Sequence, residues 1–158
     1  MLEASIGIPA EKVSENKRKL ADRESFFAEA NEHKSRAIDF RKEKRFWDAL
    51  VEDAMYFHHM RLCEVFMRDD RVEELKQAFK SGVYTKQEYD EGVKKADEFL
   101  STWSDESRAE FSMRTSMTRL KLVDDVKRSL ATDVVKWSLE NGSEEELKGI
   151  IRKYKEPS

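Results

Sequence analysis

Proline occurs at residues 9 and 157 and nowhere between them, so no intervening position is barred from a helix by a missing N–H or a locked ring. The five glycines are confined to Gly7, Gly82, Gly92, Gly142 and Gly149. Lys, Glu, Arg, Ala, Leu and Met fill most of the rest, and these side chains lose little freedom in a helix. No run alternates β-branched and polar residues as a half-buried strand does. The chain is predicted to be all-α, a bundle of five or six helices with one central helical hairpin and a long N-terminal helix as an option.

A length of 158 residues suits one core, so a single domain over 1–158 is expected, with 1–8 as a flexible arm and 156–158 as a flexible tail. Charged residues are 40% of the chain, against about 25% on average. No window approaches about 18 uncharged apolar residues, so no membrane span is expected. Aromatics at 10% and regularly recurring Leu, Val and Met argue for a folded chain. The first ten residues lack the basic start, apolar run and small-residue site of a secretory signal. The lone cysteine, Cys63, sits among Leu62, Val65 and Phe66 and is expected to be a buried, inert thiol. A reducing, cytoplasmic setting is therefore expected.

Apolar periodicity divides the chain. Val13, Leu20 and Phe27 repeat every seven residues, and the pattern then fades toward the polar residues 41–45, where a turn is expected. Val51, Met55, His58, Leu62 and Val65 form a stripe, widened by Leu50, Ala54, Phe57 and Phe66. A stripe that wide predicts the central core helix. Asp69 and Asp70 are placed at a helix junction, capping a helix from about Arg71. Val72, Leu75, Ala78 and Phe79 line that helix, with Gly82 as its left-handed stop. Thr85 and Glu88 then have the spacing of a capping box, followed by Tyr89, Val93, Ala96 and Leu100 on one face. Ser104 is expected to cap one continuous helix that carries Phe111, Met113, Met117, Leu120, Val123, Val126, Leu130, Val134 and Trp137 as far as Leu139. Asn141-Gly142 ends it, and Ser143 with Glu146 opens a last helix as a second capping box.

Candidate chemistry is sparse. His58 and His59 are adjacent, so their side chains leave a helix about 100° apart and do not readily chelate one ion. His58 is expected on the core stripe and His59 on another surface. Ferritin-like di-iron bundles need paired Glu-x-x-His units, and none occurs. Asp69-Asp70-Arg71-Val72-Glu73 resembles the aspartate-rich motif of terpene synthases, which implies magnesium held against a diphosphate. The chain is far shorter than those enzymes and has no second metal motif. Glu29 and Glu32 resemble the opening of the carboxylate set in all-α nucleoside-triphosphate pyrophosphatases, whose downstream Glu-x-x-Asp is missing. No phosphate-binding glycine loop or nucleophile elbow occurs. No catalytic residue, cofactor or metal is predicted.

Residues 37–56, with Phe46-Trp47-Asp48-Ala49, resemble the helix-turn-helix rhythm of tetratricopeptide-like and microtubule-interacting-and-transport modules. They depart from it in having Lys44 at the turn and no second repeat. Residues 75–100, with Gly82 and Thr85-x-x-Glu88, resemble the short helical hairpins many proteins use to oligomerise. Both resemblances imply protein contacts. The expected function is therefore a non-enzymatic, self-associating interaction, scaffold or adaptor protein that binds another protein through Phe40, Trp47, His59 and Trp103. Charge leaves a second reading open. The net value is −3, but residues 47–110 hold nine basic and sixteen acidic side chains, and both flanks are slightly basic. Basic residues of 36–45 with Lys148, Arg152, Lys153 and Lys155 would suit a nucleic acid. Carboxylates around a divalent ion, as in an all-α metal-dependent hydrolase, are a third reading.

Overall fold

A computed structural model describes residues 10–155, with side chains from residue 23 onward. The flexible arm and tail expected at 1–8 and 156–158 lie outside these residues, as do the side chains of Val13 and Leu20. Among the described residues the chain is all-helical: α1 (Ala10–Lys42), α2 (Phe46–Lys80), α3 (Lys86–Ser101), a short 3-10 turn (Thr102–Ser104), α4 (Glu106–Arg119), α5 (Asp124–Leu139) and α6 (Glu144–Lys155). The turn expected at 41–45 is present, and Lys44 adopts the left-handed conformation with φ 63°. None of these helices is long and apolar enough to cross a membrane.

α1 and α2 form a long antiparallel pair, tied by Arg23 to Asp70 at one end and His33 to Glu52 nearer the other. With 35 residues, α2 extends about 52 Å at 1.5 Å per residue. Its first half threads the core. Leu50, Val51, Ala54, Met55 and Phe57 pack there with Trp103, Met113, Met117, Leu130, Val134, Trp137, Leu147 and Ile151. Beyond Cys63, Leu75 is the one buried residue of α2, and α3 has none.

Both capping boxes form. Thr85 and Glu88 exchange side-chain and backbone bonds, as do Ser143 and Glu146. Gly82 is left-handed with φ 82°. The structure corrects three expected boundaries. There is no junction at Asp69 and Asp70, because α2 runs through them; Asp70 pairs with Arg23 and Asp69 with Arg68, so neither carboxylate is needed at a cap. Asp105, not Ser104, caps α4 by accepting from the Ser107 N–H. The continuous helix expected up to Leu139 breaks at residues 120–123. Lys121 turns left-handed with φ 57°, and Asp124-Asp125 open α5, where carboxylates complement the helix dipole.

Candidate functional site

All three histidines of the chain, each 6% exposed, meet around α2, His33 and His59 between α1 and α2 and His58 between α2 and α5. The His33 and His59 rings stack with centroids 5.1 Å apart, and His58 meets His59 edge-on at 5.6 Å. His33 sits on the α1 face that also buries Ala30 and Ala37, small residues that let α2 approach closely. Its Nδ1 lies 2.7 Å from the Glu52 carboxylate, which also accepts from Arg36 Nε at 2.8 Å. A carboxylate only accepts, so His33 Nδ1 carries the proton. Burial pushes the Glu52 carboxyl up, but the bonds from His33 and Arg36 together outweigh it and hold it below the usual range.

His59 is turned to acceptors on both sides, the Met55 carbonyl at 2.9 Å and Glu29 at 2.8 Å. His58 faces α5 instead. Ser138 Oγ accepts from Arg61 Nε at 2.7 Å and lies 2.7 Å from His58 Nδ1. Burial first, then the neighbouring Arg61 and His59, bring His58 down to about 4. A second buried knot joins Asp53 to Ser116 at 2.5 Å and to Arg41 at 2.8 Å. There burial dominates and pushes the carboxyl up.

These polar groups saturate one another. Every histidine nitrogen described above faces its own partner, and no group of three or more His, Cys, Asp or Glu among the described residues is arranged to hold a metal ion. The cluster acts as a clamp: it fixes the register of α1 on α2, because a one-turn slip would strand buried charges. Cys63 is buried as expected, its thiol pushed up by burial and directed at the Arg23 carbonyl 3.6 Å away.

The residues expected to meet a partner scatter. Trp103, expected at the surface, is 3% exposed and packs on Phe57 at 5.5 Å, with Arg108 over its ring. The 3-10 turn between α3 and α4 aims the indole inward, which the sequence spacing does not reveal. His59, also expected to face outward, is buried because α1 covers that face of α2, with Phe26, Glu29 and His33 against the ring. Phe40 and Trp47 are half-buried and meet in one cleft of about 370 Å³ beside α6, with Arg45, Asp48, Glu52, Lys148, Arg152 and Lys155. A second cleft, of about 600 Å³, lies along the far half of α2. Its floor is Glu64, Met67, Asp70, Arg71 and Glu74 of α2, and its walls are Arg23 of α1 and Gly92, Lys95, Ala96 and Phe99 of α3. Met67 is 48% and Phe99 52% exposed. Large apolar side chains sharing an open groove are the surface feature that marks association. Sequence reading missed this groove, because α1 and α3 become its walls only after both fold against α2.

Compared with family models, with curated proteins and with solved structures, the chain matches none.

Proposed function

We propose that this chain is a non-enzymatic helical interaction protein that pairs with a second copy of itself through the groove between α1, α2 and α3. The observation that carries the reading is the change along α2. Its first half is enclosed by other helices, while its second half is flanked by α1 and α3 and left open between them, with Met67 and Phe99 uncovered. One further helix laid in the groove would complete a four-helix cross-section there, the arrangement by which amphipathic helices cover their apolar stripes.

Charge favours a second copy as occupant. A two-fold interface presents the same patch to itself, so it must carry both signs. Arg23, Arg68, Arg71 and Lys95 line this groove together with Glu64, Asp70 and Glu74. Most of these are paired within the protomer, but Glu64 and Lys95 form no ion pair among the described residues. Burial pushes the Glu64 carboxyl up and Arg108 of the same protomer offsets only part of this, so a second cation from outside would relieve the remaining cost. Across a two-fold axis Glu64 of each copy meets Lys95 of the other.

Size-exclusion chromatography with light scattering tests the reading. The expected mass is twice the 18.6 kDa protomer. Glu64→Lys and Lys95→Glu should each weaken the dimer, and an equimolar mixture of the two variants should restore it. A strict monomer at high concentration contradicts the proposal.

A further inference from the structure

We propose that the cleft holding Phe40 and Trp47 is a separate binding site for a phosphate ester of nucleotide size. Three segments far apart in sequence build it. The α1–α2 turn contributes Arg45, whose guanidinium lies 4.5 Å over the Phe40 ring and bonds Asp48 at 2.8 Å. The start of α2 contributes Trp47 and Val51. α6 contributes Lys148, Ile151, Arg152 and Lys155. Lys148, Arg152 and Lys155 are spaced i, i+4 and i+7, so they share one face of α6.

The charge balance inside the cleft is what selects an anion. Its two carboxylates are already answered, Asp48 by Arg45 and Glu52 by His33 and Arg36. Lys148 has the surface pairs Glu144 and Glu145, whereas Arg152 and Lys155 form no ion pair among the described residues. Two unanswered cations therefore flank an aromatic and aliphatic floor. A guanidinium and an ammonium on one helix face suit a phosphate, which accepts charge-assisted bonds from both. The half-buried Trp47 indole, backed by the core residue Ile151, offers an apolar surface to the organic part of the ligand. A volume of about 370 Å³ falls at the small end of ligand pockets, about 300–1,000 Å³, which favours a small molecule over a polymer. Arg45 adds a third cation once a ligand competes with the exposed carboxylate of Asp48.

The chain supplies its own reporter. Trp103 and Trp137 are buried and Trp47 is the half-buried tryptophan in the cleft, so quenching of indole fluorescence reads this site. The full chain is titrated at low ionic strength with ATP, inorganic pyrophosphate, adenosine and a single-stranded oligonucleotide, with binding followed in parallel by calorimetry. The expected result is saturable binding of ATP and pyrophosphate, none of adenosine, and loss of affinity with added salt. Arg152→Ala with Lys155→Ala should weaken ATP by about tenfold or more. Both side chains are exposed, and unchanged circular dichroism would show that the variant folds. The proposal is overturned by no saturable ATP binding at millimolar concentration, by affinity that the double variant leaves unchanged, or by binding of the oligonucleotide alone. Dimer formation through the α2–α3 groove is read separately by light scattering and does not enter these outcomes.

Discussion

Residues 46–63 and 64–80 belong to the same helix, yet they live in different surroundings. The first stretch buries residues on nearly every side, including Glu52, Asp53, His58 and His59. The second buries Leu75 and leaves Met67 and Phe79 exposed. Helix propensity does not distinguish them, since both are rich in strong helix formers. Neighbours do: α4, α5 and α6 supply the core partners of the first stretch, while the second is flanked by α1 and α3. A helix that is apolar all round must be enclosed, and one that is apolar on a single side leaves room for another partner. The near half of α2 is thus organised for the fold, and the far half keeps an open side that the proposed second copy would fill.

The sharpest break between the halves is expected from Phe57, which is fully buried against Trp103. Phe57→Ala should cost about 3–5 kcal/mol of stability in denaturant unfolding. Phe99→Ala, in the open half, should change monomer stability by less than about 0.5 kcal/mol while weakening the dimer. Comparable stability losses at the two positions would erase the distinction.

Acid should act on the near half first. His58 titrates near 4 in the fold against an ordinary value of 6.5, so the neutral ring is the one the fold accommodates. Its contribution is present in full above about pH 6.5 and is lost as pH falls toward 4. The window is worth about 3 kcal/mol by linkage. Glu52, also held low, adds a loss at still lower pH, and Asp53, held high, opposes it. Thermal melts between pH 7 and pH 4 should show the fall, and His58→Gln should flatten it. A wild-type profile already flat across that range would contradict the fold's reliance on a neutral His58 ring.

Two glycines sharpen the contrast on a smaller scale. A Cβ at Gly142 would meet the Trp137 indole at 2.3 Å. That ring is buried and bonded to the Ser143 carbonyl, so it cannot move aside, and Gly142→Ala should cost about 2 kcal/mol. A Cβ at Gly92 would meet the Leu75 methyls at 2.8 Å. There the alanine's better helix propensity offsets part of the clash, and the net cost should be about 1 kcal/mol, confined to the docking of α3. Equal effects would mean that α3 packs as rigidly as the core.

What the sequence disclosed, and what it hid, follows the same division. The absence of internal proline, the capping residues Thr85 and Ser143, and the stop at Gly82 are local signals, and each produced the element expected of it. The clean periodicity through Val51, Met55 and His58 marked the core helix. The break at Lys121 was hidden because apolar residues continue on both sides of it, Leu120 before and Leu122 after, so the pattern reads through a turn that only a left-handed lysine makes. Trp103 and His59 were misplaced because burial depends on which neighbour arrives, and periodicity within one helix does not report that. The histidine cluster joins His33 to Glu52, nineteen positions away, across an antiparallel pairing that fixes the partners. Phe40 and Trp47 were singled out from sequence, but the cations that share their cleft come from α6 and needed the fold to reach them.

Amide hydrogen exchange measured at increasing protein concentration tests the central claim most directly, because protection reports local opening residue by residue. Residues 46–63 should exchange at one slow rate throughout. Residues 64–80 and α3 should exchange faster in dilute solution and become protected as concentration rises and the groove is filled. If the two halves of α2 are equally protected in dilute solution, or if concentration leaves the far half unchanged, its open groove is not a surface made for a second copy.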